Sequence, residues 1–271
     1  MVDIQEQRDR SASIADLIAE TATTQQAVHI VLPAYNEAEA LPPLLAAIHA
    51  ALDRSKIDYS VIVVDDGSRD DTARLASQAS FHMPVVLVEH VVNQGLAAAI
   101  RTGFRAALAQ CVPGDVIVLM DADNTHPPAL MHRMLGMVRE GHDVVIASRY
   151  QPGARVVGVP WHRNLLSLGA RGLFRLVFPI TGVRDYTCGF RAYRENVLRQ
   201  AMADYGDDFV SEKGFSCMVD VLLKLRRYGL IMGEVPLILR YDQKGGVSKM
   251  RVASTIWQTL ALMVRRRLAR T

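Results

Sequence analysis

The sequence predicts an α/β fold: one doubly wound, mostly parallel sheet flanked by helices. Three observations carry that reading. Short Val- and Ile-rich apolar runs recur at 28–35, 59–66, 84–90, 115–123 and 143–150. They lack the polar alternation of a half-exposed strand, so they read as strands buried on both faces. Longer amphipathic stretches at 37–51, 70–79, 96–109 and 127–139 separate them, and such strand–helix alternation is the pattern of a parallel sheet. Finally, the chemically unusual residues stand just past the runs, where sheets of this kind bind ligands.

Taken in order, the run VHIVLPAY ends at Tyr35, Asn36 and Glu37, beyond a Pro33 break. YSVIVVDD ends in Asp65-Asp66-Gly67-Ser68, which is good turn chemistry. The run DVIVLMDAD ends at Asp121 and Asp123, and Pro127 and Pro128 then sit where a first helical turn tolerates them. Beyond about residue 160 the pattern changes. A helix studded with Arg163, Arg171 and Arg175 is expected over 161–178, a strand over 188–194, a helix over 215–228 and a strand over 230–241. A glycine-containing basic loop (242–249) and a final helix (250–270) follow. No repeat, low-complexity tract or linker interrupts the chain. One domain over 27–249 is expected, preceded by an arm or short helix in 1–26 and followed by a basic amphipathic helix over 250–271.

Composition closes off several function classes. With 271 residues, half of them hydrophobic, the chain can bury a large core and is not disordered. Its three cysteines form no CxxC pair, which argues against a thiolate zinc site and for reduced cytoplasmic thiols. The acidic N-terminus does not read as a signal peptide, and no apolar stretch reaches the roughly 18 residues of a spanning helix. The expected location is therefore cytoplasmic, soluble or peripheral on the cytoplasmic face of a membrane. The formal net charge of +3 conceals an asymmetry: residues 1–148 hold 10 Lys and Arg against 19 Asp and Glu, whereas 149–194 hold eight Arg and one acid, Asp185. An acidic half suits a metal cation and an arginine-rich half suits phosphate, because guanidinium is a fixed bidentate donor. With an acidic first half and no aromatic–basic interleaving, nucleic acid is excluded as a partner.

Asp121-Ala122-Asp123 places two carboxylates one residue apart just past a strand, which is donor chemistry for Mg²⁺ or Mn²⁺ shared with a substrate phosphate. Taken alone, such a pair is also ordinary helix-start chemistry. Asp66 could accept hydrogen bonds from a ribose or base, and Tyr35 and Glu37 offer a stacking face and an acceptor; each is equally readable as turn or first-turn chemistry. Arg163 and Ser167 are four residues apart and would share one face of a helix, where a cation and a hydroxyl can grip one phosphate.

In combination, VLPAYNE, VIVVDDGSRDDT, NQGLAAAIRTGF, MDADNTHPP and ASRY resemble the family 2 glycosyltransferases, whose GT-A fold is a single Rossmann-like sheet flanked by helices. Within them the chain looks most like the polyprenyl- and dolichyl-phosphate sugar synthases, from about Val28 to Lys249. That resemblance implies a GDP- or UDP-sugar donor held by Pro33, Tyr35, Glu37, Val64 and Asp66, with Asp121, Ala122 and Asp123 at the diphosphate and metal. It also implies an acceptor phosphate held by Arg149, Arg163 and Ser167, and a loop lysine, Lys249, closing over the donor. His126 follows the paired acids as it does in relatives. Two positions depart from the resembled pattern: Thr125 stands where a glutamine metal ligand is usual, and Gln243 where an arginine is common.

The implied reaction is an inverting transfer of a mannose- or glucose-like sugar to a polyprenyl or dolichyl phosphate, reached at a membrane surface or through a membrane partner protein. The face of the last segment carrying Ile256, Trp257 and Leu260, followed by Arg265, Arg266 and Arg267, fits an interfacial helix or a core-packing one. A soluble hydroxyl acceptor is the alternative; it would need a carboxylate base, for which Asp185 and Asp220 are the candidates. A non-enzymatic nucleotide- or lipid-phosphate-binding subunit is a third reading.

Overall fold

A computed structural model of the chain describes residues 26–158, 172, 175–212, 214 and 216–243. Seven strands form the central sheet: β1 (Val28–Ala34), β2 (Tyr59–Asp65), β3 (Val85–Glu89), β4 (Val116–Leu119), β5 (Val144–Ser148), β7 (Arg191–Arg194) and β8 (Met232–Pro236). Their spatial order is β3-β2-β1-β4-β7-β5-β8. All pairings are parallel except those of β7, which runs antiparallel between β4 and β5. A small second sheet pairs β6 (Arg155–Val157) with β9 (Ile238–Arg240).

The longer helices among the described residues are α1 (Leu41–Asp53), α2 (Thr72–Ala79), α3 (Leu96–Gln110), α4 (Met131–Arg139), α5 (Glu195–Tyr205) and α6 (Ser216–Leu225). In α1, Leu41, Leu44, Leu45, Ile48 and Leu52 are buried, the three-and-four spacing of one helical stripe. The sheet is covered on both faces, as the near-continuous apolar runs required: every residue of β4 and β5 is buried. Helix α3 lies unusually close to it. A Cβ on Gly103 would stand 2.3 Å from Cγ1 of Val31 and 3.2 Å from Cγ2 of Val64, so the helix can seat there only without a side chain.

The second half departs from expectation in three places. The run 230–241 is not one strand; it breaks after Pro236, with β8 in the main sheet and β9 in the small one. Leu237 bridges them, its N–H donating to the Ser148 carbonyl and its own carbonyl accepting from Arg155. The strand expected at 188–194 is shortened to Arg191–Arg194, because 185–190 is a loop. Helix α5 was not anticipated at all. Its buried stripe is only Val197, Leu198 and Ala201, and the acidic stretch after it is a 3₁₀ turn that exposes Asp207 and Asp208 while burying Phe209 and Val210. The first helix begins at Leu41 rather than 37, since 36–40 form a turn with Asn36 at φ 51°. Of the helix expected over 161–178, Gly172 and 175–178 are described; 172 and 175–177 are helical and the helix ends in a bend at Phe178. The expected N-terminal arm, apart from Gln26, and the final helix lie outside the described residues.

Gly103→Ala should lower stability by about 1–3 kcal/mol through overpacking against Val31. Urea denaturation measures this, and an unchanged midpoint would show that the helix can lift off the sheet at no cost.

Candidate active site at the carboxyl edge of the sheet

Because β1, β2, β4, β5 and β8 are mutually parallel, their C-terminal ends lie at one edge. The antiparallel β7 brings its N-terminal end, and hence the loop 185–190, to that edge as well. The motifs at 35–37, 65–68, 121–126 and 149–150 therefore converge with a loop that is remote in sequence. Pro33, Tyr35 and Glu37 are half-buried at the end of β1, and Val64 is fully buried near the end of β2.

The turn after β1 is stitched to the turn after β2. Asn36 N–H donates to Ser68 Oγ (2.8 Å), Arg69 N–H to Asn36 Oδ1 (2.8 Å), and Glu37 N–H to Thr72 Oγ1 (2.9 Å). Asp66 is 3% exposed and braces a third loop: Oδ1 accepts from Gln94 N–H (2.8 Å) and pairs with His90 Nδ1 (2.7 Å), while Oδ2 accepts from Gly95 N–H (2.8 Å). Gly67 (φ 68°) is needed at this junction, since a Cβ would stand 2.6 Å from the Asn93 nitrogen. Its neighbour Asp65 accepts from Ser68 N–H through Oδ2, while its buried Oδ1 has no partner among the described residues.

The paired acids follow β4. Asp121 and Asp123 are half-buried, with Ala122 buried between them. Asp123 Oδ1 accepts from Thr125 Oγ1 (2.6 Å) and Thr125 N–H (3.2 Å). Thr125, expected as a weak metal ligand, is 3% exposed and spends its hydroxyl proton on Asp123, so its observed work is to orient that carboxylate. Asp121 lies over Gly189, where a Cβ would come within 3.1 Å of Oδ1. His126 stacks on Phe190 at 5.2 Å, and its buried Nδ1 has no partner among the described residues. Two oxygen-donor carboxylates, one of them oriented by a hydroxyl, suit a hard cation such as Mg²⁺ or Mn²⁺.

The first arginine of the expected phosphate cluster, Arg149, follows β5 directly. Asp185, wholly buried, accepts from Arg149 Nε (2.8 Å), Nη2 (2.7 Å) and backbone N–H (3.1 Å), and also from the N–H groups of Thr187 (3.2 Å) and Cys188 (3.1 Å). Burial alone would raise this carboxyl; Arg149 and the hydrogen bonds outweigh it and hold its pKa at about 2. Among the described residues Arg149 Nη1 has no hydrogen-bond partner, which leaves one corner of the guanidinium for a second anion. Loop 185–190 thus touches both charged groups: Asp185 and Thr187 hold Arg149, and Gly189 underlies Asp121.

Neither candidate base is available for proton abstraction. Asp185 is locked as described, and Asp220 is fully buried in an ion pair with Lys224, one turn along α6. Arg163, Ser167 and Lys249 lie outside the described residues, as does the side chain of Gln243. Sequence reasoning missed Glu234, Gly189 and the structural use of Asp185. Only Glu234 carried a readable signal, a single acid inside the apolar run LIMGEVPLIL. A separate group, His29, Cys111 and Asp115, has the composition of a metal site but lies at the opposite edge of the sheet. Its polar atoms are already in use. His29 pairs with Ser60 and Asp115, Asp115 also accepts from the N–H groups of Ala27 and Val112, and burial together with Asp115 pushes the Cys111 thiol up to about 12.

Comparison with known proteins gives the class. Residues 29–201 match the model of the glycosyl transferase family 2, and the chain belongs to that family. It is a glycosyltransferase with a GT-A fold. The polyprenol monophosphomannose synthase of Mycolicibacterium smegmatis is 34% identical over 85% of this chain and 83% of its own length. The undecaprenyl-phosphate mannosyltransferase of Micrococcus luteus is 36% identical over 81% of this chain and 86% of its own. Among solved structures, glucosyl-3-phosphoglycerate synthase from Mycobacterium tuberculosis, in complex with Mn²⁺ and UDP-glucose, superposes with a TM-score of 0.60 over 94% of this chain and 82% of its own; at 20% identity this shows shared architecture.

Gly189→Ala should weaken divalent-metal binding about tenfold by displacing the Asp121 carboxylate, a typical cost of disturbing the support of a ligand. Titration with Mn²⁺ followed by electron paramagnetic resonance measures this; unchanged affinity would show that Asp121 has room to move.

Proposed function

We propose that this chain transfers a sugar, mannose or a close relative, from a nucleoside-diphosphate sugar to a polyprenyl phosphate, with inversion at the anomeric carbon. The observation that carries the reading is the convergence of an acid pair and a clamped arginine on one sheet edge, in a chain whose relatives act on polyprenyl phosphates. The donor nucleotide would lie along the loops after β1 and β2, near Pro33, Tyr35, Glu37, Val64 and Asp66. Among the described residues Oδ2 of Asp66 accepts the Gly95 N–H alone, which leaves capacity for a further donor. A divalent ion, Mg²⁺ or Mn²⁺, held by Asp121 and Asp123 would supply charge neutralisation for the diphosphate. Ala122 would approach the same group through its backbone, and the resemblance assigns Gln243 and Lys249 to the donor as well.

Arg149, with Arg163 and Ser167, would hold the acceptor phosphate in line with the anomeric carbon. A phosphate oxygen then forms the new bond to that carbon as the bond to the diphosphate oxygen breaks and its electron pair leaves with the nucleoside diphosphate. No base has to remove a proton, because a phosphate monoester loses its second proton near pH 6. The commitment of Asp185 and Asp220 to ion pairs agrees with this and speaks against a hydroxyl acceptor. Meeting the lipid requires association with a membrane surface; among the described residues no helix is long and apolar enough to cross one.

Incubation with GDP- or UDP-sugars, Mg²⁺ or Mn²⁺ and a polyprenyl phosphate should yield a glycolipid with inverted anomeric configuration; no product from any donor overturns the reading. Asp121→Ala and Asp123→Ala should each cut transfer by about 10³-fold or more, a loss of the order seen when one electrostatic contact to the developing charge is removed. Full activity in excess EDTA would contradict the metal role. Asp185 ionises at about 2, far below neutrality, and the same pairing raises Arg149 further above its ordinary range. Transfer should therefore rise with pH through the second ionisation of the acceptor, at about 6. The midpoint should move upward with a phosphonate acceptor, and a midpoint indifferent to the acceptor would assign the limb to the protein.

A further inference from the structure

The loop that holds Asp185 is itself held by a second carboxylate. Gly182 (φ 81°) lies against β8 so closely that a Cβ would stand 2.0 Å from the Met232 carbonyl oxygen. This contact lays the turn 182–185 onto the strand. There Oε1 of Glu234 accepts from two consecutive backbone N–H groups, Arg184 (2.5 Å) and Asp185 (2.6 Å). Glu234 is 7% exposed, and its Oε2 is buried with no partner among the described residues. Among the described residues no cation pairs with it, and burial pushes its carboxyl above the ordinary range, the two amides and the nearby Ser148 hydroxyl drawing it only partly back. A second tie runs beside the first: Arg184 Nη1 donates to Gln151 Oε1 (2.8 Å), and Gln151 Nε2 donates to the Glu234 carbonyl (3.4 Å).

A buried carboxylate with an orphaned oxygen is a costly way to brace a turn, since a desolvated polar atom without a partner is destabilising. Its geometry explains its presence. The two amides it fixes include the backbone of Asp185, and Asp185 fixes the plane of the Arg149 guanidinium through Nε and Nη2. A guanidinium free to rotate about its side-chain torsions offers its fork in many directions; one pinned on one side offers a single corner.

We propose that Glu234 and Asp185 are positioning residues for the acceptor anion: Glu234 sets the turn, Asp185 sets the Arg149 guanidinium, and Nη1 of Arg149 is thereby aimed at the incoming phosphate. The inference rests on the acceptor role assigned to Arg149 above and extends it to two residues that touch no substrate.

The test separates acceptor from donor. The acceptor KM is measured with a polyprenyl phosphate, and donor affinity by calorimetric titration with the donor nucleoside diphosphate and Mg²⁺. Asp185→Asn turns an amide toward the guanidinium and should raise the acceptor KM by about tenfold or more, as misplacement of a binding group by an ångström can cost about a hundredfold. Glu234→Ala should raise it by a similar factor. Donor affinity should stay within about twofold in both, the loss being confined to one side of the site. Glu234→Gln keeps an oxygen that can accept both amides and should stay within about threefold of the parent, because the acceptor geometry rather than the charge is what is used. Arg149→Lys, which keeps the charge but not the fork, is run beside them. If Arg149→Lys leaves the acceptor KM unchanged, the acceptor role of Arg149 fails, and this inference with it. If Arg149→Lys raises it while Asp185→Asn and Glu234→Ala do not, the positioning role alone fails. Donor affinity lost in step with the acceptor KM, or Glu234→Gln behaving like Glu234→Ala, overturns it too. Should Asp185→Asn not fold, the Glu234 pair of variants decides.

Discussion

A carboxylate with no solvent exposure has to be compensated by the protein, and at Asp185 that requirement organises one side of the crevice. Its partners are an arginine at the end of β5 and three backbone amides, one of them from Arg149 itself. The partners win: the folded-state pKa, about 2, lies below that of an exposed aspartate. For a depressed carboxylate the stabilisation is complete above the unfolded pKa of about 3.9 and fades as pH falls towards the folded one. Across any neutral range the pair is a constant, so the geometry it imposes on Arg149 does not drift with pH. This fixed element gives the neighbouring loop its shape.

The paired acids depend on the same loop in a different way. Arg149 takes polar partners from Asp185 and Thr187, whereas Asp121 lies so close over Gly189 that a side chain there would crowd its carboxylate. Four to five residues of chain thus serve two opposite charges, which ties the spacing of the acid pair to that of the arginine. The connection exists because β7 is antiparallel. A parallel strand in its place would deliver its N-terminal loop to the far edge, beside Asp115 and His29.

The sequence made much of this legible, and the limits have physical causes. Strands β1 to β5 were readable because a sheet buried on both faces demands continuous Val and Ile, and the loops after them were readable because turn residues and acids cluster there. The insertion of β7 between β4 and β5 was hidden, since pairing between strands far apart in the chain leaves no local periodicity. The break between β8 and β9 was marked only by Pro236, inside a run that remains apolar on both sides. Helix α5 was too short and its buried stripe too narrow to stand out. Residue type alone does not show the hydrogen-bonding work of the site residues. Asp66 braces a loop, Thr125 orients a carboxylate, and Asp185 serves an arginine rather than a proton transfer. Hydrogen-bond partners supplied from 24 to 36 residues away, as with His90 on Asp66 and Arg149 on Asp185, cannot be inferred from either neighbourhood alone.

Burying a carboxylate deeply makes sense only where proton transfer is not its purpose. A general base must exchange protons with substrate near the working pH, which requires access and a pKa close to neutral. Asp185 has neither, and Asp220, enclosed with Lys224, lacks access. An acceptor that arrives already ionised removes the need for such a group and leaves a different demand: two anions, the diphosphate and the acceptor phosphate, have to be brought within bonding distance of one carbon against their mutual repulsion. Separate cationic supports for each, held at a set spacing by a loop common to both, answer that demand. On the proposed reading the half-buried acids would bind a cation as the donor enters, while Arg149 is already fixed by Asp185 before any ligand arrives. The repulsion would thus be met by charge placed in advance on the acceptor side and recruited on the donor side, with the loop 185–190 touching both.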